Sequence, residues 1–414
     1  MEGTQGTGAR DVPAGGFLRG WGPTSALGGR FTGPPEALHA RASPAARDLM
    51  TQAFENLGAA PATDYHVHVL GLGVGGTGAF VNPAMLSWRR PARRFEAGVY
   101  LHACGVAGFA DFDADYAGRL TRLARAFGRP LRAHLVALDR FHDPDGRVNL
   151  ARTEFYAPND YVARLAEAHP DLFVPVISIH PSRPDALEEL ARWAARGVRF
   201  LKWLPNAQGI DPADPRHDAF YRALCAHEIA LLTHAGEEHA VRTHAAQALG
   251  NPLRLRRPLD HGVRVIIAHC ASLGRNADFD RPGTTAENFD LFLRLMAEER
   301  YRGRLFGEIS AITQFNRASA ALFDALSRPE MCGRLVNGSD YPLPAVNCVI
   351  WTGRLARMGC ITPGERRALN EIYSCNPLLF DFVLKRALRH PTTQERLFPK
   401  EVFLENPALR PEAC

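Results

Sequence analysis

The stretch TDYHVHVLGLGVGGTG, residues 63–78, joins a predicted β-strand to a glycine-rich segment. His66 and His68 are two residues apart on that strand, so their side chains project from the same face. The glycine-rich half does not resemble a nucleotide-binding loop, because it opens no obvious helix and lacks the GK[ST] signature of a P-loop. We interpret it as a loop that lies over the site to which the two histidines belong. Its glycines permit the backbone to approach that site closely, or the loop to move.

Seven further apolar, β-rich runs follow the first one, and helix-like segments such as 185–197 and 288–303 lie between them. Strands that alternate with helices predict parallel βαβ units. Eight nearly continuous apolar strands favour a closed (β/α)8 TIM barrel, an α/β fold, over an open doubly wound sheet. The predicted strands are 63–69, 131–138, 173–179, 198–204, 229–235, 263–269, 304–310 and 334–340.

The barrel is expected to occupy residues 59–390. Residues 1–58 are predicted to form an N-terminal arm that ends in an amphipathic helix at 43–57, with Ser43 as its N-cap. Residues 391–414 are expected to form a C-terminal tail.

The stretch between the first two predicted strands, residues 70–130, is longer than an ordinary connection in such a barrel. It includes the helix-like segment 113–128. We therefore predict a substantial insertion over the mouth of the barrel, where loops carry active sites and lids.

Composition excludes several classes of protein. The 414 residues carry a formal net charge of +5, with basic residues scattered along the chain, so neither nucleic acid nor an anionic membrane is required as a partner. No apolar run approaches the ~18 residues of a membrane span, and no secretory signal is apparent. The eight cysteines include no CxxC pair, which is typical of free thiols in a reducing cytoplasm. We expect a cytoplasmic protein that acts on a small molecule.

Polar residues end several apolar strands where another valine or leucine would be ordinary. They are Lys202, His234, His269 and Asp340, in addition to the histidine pair of the first strand. Burying such groups together is costly unless they pair or bind a metal, and one shared metal site explains all of them. Lys202 is also unusual because the basic residues of this chain are nearly all arginine.

This pattern resembles the amidohydrolase superfamily of metal-dependent hydrolases. That family has HxH on strand one, lysine or another bridging ligand on strand four, histidines on strands five and six, and aspartate on strand eight. The corresponding residues here are His66, His68, Lys202, His234, His269 and Asp340. The segments GSDYPLP (338–344) and SCNPLLF (374–380) are most similar to the amidohydrolase-2 branch, which includes hydrolases and aromatic decarboxylases.

The resemblance implies one or two divalent metal ions, with zinc the first candidate. His66, His68 and Asp340 would hold the first ion, and Asp340 would take a proton from the attacking water. His234 and His269 would hold a second ion; with a single ion, His234 would complete its shell and His269 would polarise the substrate carbonyl or shuttle a proton.

Lys202 has two possible roles. Burial makes an amine partly neutral, and a neutral amine can add CO2 to give a carbamate that bridges two cations. Arginine cannot do this, because its guanidinium stays protonated. The alternative is a charged Lys202 that forms an ion pair in the barrel or binds a substrate carboxylate.

The other candidates are weaker. His180, which ends the third strand, is expected either to reach the substrate or to pack; Glu308 is expected to orient a ligand imidazole, and Tyr341 to line the pocket. Glu237, Glu238 and His239 are interpreted as residues that cap the next helix and meet solvent. We assign no function to His102, His142 and His244.

The favoured function is a metal-dependent hydrolase that attacks an amide, ester or lactone carbonyl with metal-bound hydroxide. One alternative is a non-oxidative decarboxylase of an aromatic or unsaturated acid with one metal. Such an enzyme needs a cationic group that binds the departing carboxylate. The candidates for this group lie in the region of Trp88, Arg89, Arg90, Arg93 and Arg94, and the alternative interpretation of this region is a solvated basic loop. A second alternative is a catalytically silent barrel that binds a ligand. A homodimer is compatible with such a barrel.

Overall fold

Eight parallel strands form the centre of the molecule, a computed structural model that describes residues 22–106, 108–243 and 246–410. We label these strands β1 to β8 in chain order. They are Ala62–His68, Leu131–Val136, Phe173–Val176, Phe200–Trp203, Ala230–His234, Val265–Ala268, Leu305–Glu308 and Leu335–Val336. Each of the eight strands predicted from the sequence is present. The first has the predicted length and lies one position earlier, and the other seven are shorter than predicted by two to five residues.

The strands pair in chain order and close on themselves. Parallel ladders join β1 to β2 and β2 to β3, and further ladders join β4, β5, β6, β7 and β8 in that order. Between β3 and β4, the amide of Lys202 donates to the carbonyl of Ile177 at 2.7 Å. Between β8 and β1, the amide of Asp340 donates to the carbonyl of His66 at 2.7 Å, and that of Tyr65 donates to Asn337 at 2.9 Å. The predicted (β/α)8 barrel is therefore confirmed.

The strands are buried on both faces, as in other closed parallel barrels. Side chains that point inward, such as Leu232, Ile266 and Phe306, form one cluster in the barrel interior. Their neighbours Leu231 and Ile267 belong to the larger cluster between the strands and the outer helices. Since both faces need apolar residues, the strands read as continuous apolar runs rather than as alternating ones.

Helices surround the barrel and follow the predicted segments closely. The segment predicted as a helix at 43–57 is helical over Pro44–Phe54, and the hydroxyl of Ser43 accepts from the amide of Ala46 at 3.2 Å as its N-cap. The α-helices of the described residues are Gly22–Gly28, Leu38–Arg41, Pro44–Phe54, Pro83–Leu86, Pro91–Ala103, Phe112–Arg125, Asn159–Ala168, Ala186–Ala195, Pro205–Gln208, Asp218–Ala226, Arg256–Asp260, Asn288–Ala297, Ala320–Leu326, Thr352–Arg357, Pro363–Cys375 and Pro377–Ala387.

The region between β1 and β2 contains the predicted insertion. Helix Phe112–Arg125 occupies the ordinary place of the first outer helix, so the insertion proper is 70–111. It holds helices Pro83–Leu86 and Pro91–Ala103, and its short strand Phe80–Val81 pairs with Phe155–Tyr156 after β2. The insertion is therefore tied to a second loop of the mouth.

Both ends of the described chain pack on the barrel. Helix Pro44–Phe54 contacts the last two helices, Pro363–Cys375 and Pro377–Ala387. Farther along, the carbonyl of Val402 accepts from the amide of Asn337 at 2.8 Å. The first 21 residues of the predicted arm, the last four of the predicted tail, and His244 lie outside the described residues.

Among the residues that the structure describes, no helix has the length and apolarity that crossing a membrane requires.

Candidate metal centre

The histidine pair lies at the C-terminal end of β1 and faces Asp340, which follows β8. His68 Nε2 is 3.0 Å and His66 Nε2 is 3.5 Å from Asp340 Oδ1. The His66 side chain is 1% exposed, whereas that of His68 is 21% exposed. The alternation of the strand directs both rings inward, so His66 lies at the bottom of the site and His68 at its open side.

His234 and His269 bring two more imidazoles to the same point from the ends of β5 and β6. Their ring centroids are 5.3 Å apart, and His66 and His269 are 5.6 Å apart. His269 Nε2 is 3.7 Å from Asp340 Oδ2. His234 Nε2 is buried and has no hydrogen-bond partner among the described residues. The barrel thus gathers these residues from four strands that are far apart in sequence.

Lys202 lies among these rings on β4. Its Nζ is 2.9 Å from His66 Nε2 and its side chain is fully buried. Within residues 22–106, 108–243 and 246–410, no carboxylate oxygen lies within 4.0 Å of this amine, so the amine forms no ion pair there. Burial lowers the pKa of Lys202 to about 8, although the charges of Asp340, Glu308 and Glu238 act in the opposite direction. The amine is therefore neutral in a sizeable fraction of molecules near that pH.

The donor atoms fit a divalent metal. One ligand atom from each of His66, His68 and Asp340 lies within 4.8 Å of the others, as do those of His66, His269 and Glu308. Burial holds the pKa values of His66, His234 and His269 well below the usual range, so these rings are neutral and can donate a lone pair. Imidazole and carboxylate donors suit zinc and other first-row metals. The buried, unpartnered His234 Nε2 is explained if this atom is a ligand.

Glu308 lies behind the imidazoles. Its Oε2 is 3.2 Å from His66 Nδ1 and accepts from the Ser310 hydroxyl at 2.6 Å. The same hydroxyl is 2.7 Å from His269 Nδ1. Burial raises the pKa of Glu308 to about 7. Glu308 therefore contacts the far side of a histidine, which is the geometry by which a carboxylate orients a metal ligand.

Three residues that support this centre were not singled out from the sequence. Asp64 Oδ1 accepts from the amides of His66 at 3.0 Å and Ser339 at 2.8 Å, so it fixes β1 against the turn after β8. The buried Nζ of Lys385 donates to the carbonyl of Gly338 at 2.6 Å. A Cβ on Gly338 would lie 2.4 Å from Glu308 Oε1, which explains a glycine there. The rarity of lysine in this chain, which drew attention to Lys202, would have indicated Lys385 as well.

His180 has the packing role, one of the two roles expected for it, whereas the expectation that Tyr341 lines the pocket was wrong. The ring nitrogens of His180 lie 3.2 Å from the Gln208 carbonyl and 3.2 Å from the Ser182 amide, so the ring packs against backbone. The Tyr341 ring faces away from the mouth and stacks on Tyr116 at 6.3 Å. The backbone of Asp340 is left-handed, with φ 58°, so the direction of Tyr341 does not follow from the alternation of a strand; its side chain is buried in the apolar cluster between the strands and the outer helices.

A pocket of about 390 Å³ lies above the imidazoles. Its walls are mainly apolar and include Leu70, Met85 and Leu101 of the first loop and insertion, and Phe155 of the paired strand. Its polar lining includes Glu238 and Arg317, in addition to the strand-end residues. The expectation that Glu238 meets solvent at a helix cap was wrong: the side chain is 11% exposed, and its Oε2 lies 3.5 Å from His234 Nδ1.

The glycine-rich stretch forms one edge of this pocket. Asp113 accepts from the amides of Leu72 at 2.6 Å and Gly73 at 3.1 Å, and from the hydroxyl of Thr77. A Cβ on Gly71 would lie 2.7 Å from both Ala79 Cβ and an Asp113 oxygen. The glycine therefore serves close backbone approach in a loop that Asp113 anchors.

The basic cluster around Trp88 does not line the pocket. Arg93 pairs with Glu154, and the Arg94 guanidinium stacks on Trp88 with its carbon 3.5 Å from the ring centroid. Arg89 and Arg90 are exposed. These two residues therefore fit the predicted alternative, a solvated basic loop, better than a role in binding a substrate carboxylate.

The fold and the converging imidazoles place the protein in the class of (β/α)8-barrel enzymes with a potential metal site at the C-terminal ends of the strands. The family model described as amidohydrolase matches residues 63–348, which is more than half of the chain. The chain belongs to this amidohydrolase family, whose members typically bind divalent metals. The resemblance inferred from the strand-end residues is thereby confirmed.

Solved structures of similar architecture include several chemistries. The 5-carboxyvanillate decarboxylase from Sphingomonas paucimobilis is 13% identical and aligns over 76% of this chain and 96% of its own, with a TM-score of 0.45. The 4-oxalomesaconate hydratase from Rhodopseudomonas palustris is 14% identical over 75% and 88%, with a TM-score of 0.39. The N-isopropylammelide isopropylaminohydrolase from Burkholderia multivorans is 17% identical over 81% and 74%, with a TM-score of 0.38. No curated protein sequence matches the chain.

Proposed function

We propose that the protein is a metal-dependent hydrolase that cleaves an amide, ester or lactone of a small molecule. The observation that carries this proposal is the placement of Asp340 between His68 and His269 at the floor of an apolar pocket, with an oxygen 3.0 Å from His68 Nε2. His66, His68 and Asp340 would hold a divalent ion, with zinc the first candidate. His234 and His269 would hold a second ion, or, with a single ion, His234 would complete its shell.

When bound, such an ion lowers the pKa of a coordinated water to about 7 and polarises a carbonyl oxygen. The residues of the chain would do the rest. Asp340 would accept the proton of the attacking water, since its carboxylate borders the space where substrate and water meet. His269 would donate a hydrogen bond to the carbonyl oxygen if it is not a ligand. The apolar walls would exclude bulk water and strengthen these electrostatic interactions.

The carbamate on Lys202 is a further part of the proposal. The amine would attack the carbon of CO2 and release one proton, which leaves a carbamate with two oxygens beside His66. The absence of a carboxylate partner within the described residues, together with the lowered pKa, supports this role over the alternative of an ion pair. With one metal and no carbamate, Lys202 would instead donate a hydrogen bond to a substrate carboxylate.

A second candidate is the decarboxylase of an aromatic or unsaturated acid with one metal. It is favoured by one observation, the guanidinium of Arg317 in the pocket lining, which offers the cationic contact that a departing carboxylate needs. The predicted source of that contact, the basic loop around Trp88, does not reach the pocket.

The test compares product formation from a panel of amides, esters, lactones and aromatic acids. We expect hydrolysis of at least one carbonyl substrate, and a loss of kcat of about 100-fold or more in Asp340→Asn, since a general base contributes 10²–10⁴-fold. Asp324→Asn, an exposed aspartate, is the matched control and should retain full activity. Release of CO2 without any hydrolysis would select the decarboxylase, and no turnover on the panel would favour a ligand-binding barrel.

A further inference from the structure

The hydroxyl group of Ser310 is buried between two residues of the candidate metal centre. Ser310 lies two residues after Glu308, the last residue of β7, and both residues are 0% exposed. Its Oγ is 2.6 Å from Glu308 Oε2 and 2.7 Å from His269 Nδ1, which lies at the end of the neighbouring strand β6. This one hydroxyl group therefore links the carboxyl group of Glu308 to the imidazole of His269.

The contacts of Glu308 favour its ionised form. Its Oε1 accepts from the amide of Ser310, and its Oε2 lies 3.2 Å from His66 Nδ1. That nitrogen carries the proton of the His66 ring, because the Lys202 amine, which can donate in either charge state, lies 2.9 Å from His66 Nε2. A carboxyl group that faces donors at both oxygens is stabilised as a carboxylate, and a carboxylate can only accept hydrogen bonds.

The number of protons then fixes the direction of each hydrogen bond. Two oxygens 2.6 Å apart need a hydrogen atom between them, and the carboxylate has none, so the Ser310 hydroxyl donates to Glu308. A hydroxyl group has one hydrogen atom, so its oxygen can only accept from His269. The proton of the neutral His269 ring therefore lies on Nδ1, and Nε2 has a free lone pair.

The surroundings of His269 Nε2 are consistent with this tautomer. Asp340 Oδ2 lies 3.7 Å away, which is too long for a hydrogen bond. Across the ranges 22–106, 108–243 and 246–410, no other acceptor lies within hydrogen-bond distance of Nε2. His269 lines the pocket together with His66 and His234, so the lone pair is open to a ligand that enters the centre.

We infer that Ser310 is a positioning residue, which holds the His269 ring with its Nε2 lone pair towards the site so that this nitrogen binds a metal ion. The inference rests on the proposed function, because it decides between the two roles of His269 given there. A carbonyl oxygen is itself an acceptor and gains nothing from a lone pair, so His269 does not polarise the substrate carbonyl. Glu308 thereby fixes two histidines, His66 directly and His269 through the hydroxyl group.

Nitrogen-15 NMR of the histidine rings in the full-length, metal-stripped protein near pH 8 tests the tautomer. An unprotonated ring nitrogen resonates far downfield of a protonated one, and His269→Gln assigns the signals of this ring. We expect His269 of the wild type to be protonated at Nδ1 and unprotonated at Nε2. In Ser310→Ala the Nδ1 proton loses its buried acceptor, so the Nε2-protonated tautomer should appear. Ser310→Thr keeps the hydroxyl group and should keep the wild-type tautomer.

Zinc affinity, measured by competition with a chromophoric chelator, tests the role of the lone pair. We expect the affinity of Ser310→Ala to be about 10–100-fold lower, since the loss of a group that orients a metal ligand has an effect of that size. Ser310→Thr should restore most of it. Ser374→Ala is the matched control, because it removes a hydroxyl group that donates to the Glu371 carbonyl at 2.7 Å in another helix. Its tautomer and zinc affinity should equal those of wild type.

A wild-type His269 that is protonated at Nε2 would overturn the inference, and so would a folded Ser310→Ala that keeps the wild-type tautomer. A changed tautomer with unchanged zinc affinity would overturn the assignment of His269 as a ligand. None of these readouts depends on turnover. The expected tautomer and zinc affinities without any hydrolysis would refute the hydrolase and leave the role of Ser310 standing. Hydrolysis by a protein whose His269 is protonated at Nε2 would have the opposite meaning.

Discussion

Two of the proposed metal ligands have an uncommon backbone conformation. His269 and Asp340 have φ values of 57° and 58°, in the left-handed region that residues other than glycine rarely adopt. Each follows a strand, so the chain turns sharply where the side chain must point into the mouth. Such conformations cost of order 1–3 kcal/mol and cluster at active sites, because the surrounding structure holds them in place. Here Asp64 and the barrel ladder provide that support.

The first prediction concerns Lys202. In bicarbonate buffer near pH 8, a fraction of the molecules should have an intact native mass that is larger by one CO2, because burial leaves the amine partly neutral. The increment should be absent in Lys202→Ala. Native mass spectrometry in paired bicarbonate and CO2-free buffers measures this directly.

Lys400→Ala is the matched control for that measurement, because it removes a lysine outside the centre and should keep the increment. An increment that persists in Lys202→Ala would assign the carbamate to another amine. A wild-type mass without the increment would leave Lys202 as a hydrogen-bond donor to His66 or to a substrate.

At the scale of elements, the last helix, Pro377–Ala387, is linked to the site through Lys385. The Lys385 and Asp381 side chains are 0% and 2% exposed, and Lys385 Nζ is 2.6 Å from Asp381 Oδ2. Lys385→Met leaves the carboxyl group of Asp381 buried without its partner, which we expect to lower the free energy of unfolding by about 3–5 kcal/mol. Urea denaturation followed by circular dichroism measures the loss.

The double variant Lys385→Met, Asp381→Leu is the control, since replacing both members of a buried pair with apolar residues is often neutral. Recovery of most of the stability would attribute the loss to the uncompensated acid. If the double variant is as unstable as the single one, the hydrogen bond from Lys385 to Gly338 is the more important contact.

Strand β2 contains a histidine that makes the barrel sensitive to acid. His134 stacks on Tyr65 at 4.5 Å, and burial lowers its pKa to about 3. The unfolded chain binds a proton here below about pH 6.5, whereas the native state does not. Stability therefore falls as the pH drops from about 6.5 towards 3, by about 1.4 kcal/mol per pH unit for this one group.

His134→Phe and His134→Gln should both reduce the slope of unfolding free energy against pH by that amount over this window. Their stabilities at pH 8 will differ, because phenylalanine removes the hydrogen bond to the Asp64 carbonyl. The comparison therefore rests on the slope. An unchanged slope in both variants would mean that other buried histidines account for the acid sensitivity.

At the scale of the whole molecule, the closed barrel explains why a site could be predicted from widely separated residues. Parallel strands in a barrel end at the same rim, so a polar residue at the end of an apolar run, such as His234 or Asp340, was predictable in position as well as in chemistry. The strands themselves were predictable for the same reason, since both of their faces are buried.

Other parts of the site were not predictable from the sequence. Arg317 and Glu238 lie on loops after β7 and β5, and their direction depends on backbone contacts such as that between Phe315 and Val349. Nothing in the local sequence encodes those contacts. The placement of Tyr341 was not predictable either, because the left-handed backbone of Asp340 interrupts the alternation of an extended chain.

Metal content per chain, measured by elemental analysis of wild type and His66→Asn, tests the central claim most directly. We expect at least one divalent ion per chain in wild type and a content close to zero in the variant. The rate of hydrolysis by wild type should fall when a chelator removes the ion and return when the ion is added back. Hydrolysis by metal-free protein, or an undiminished metal content in His66→Asn, would contradict the account.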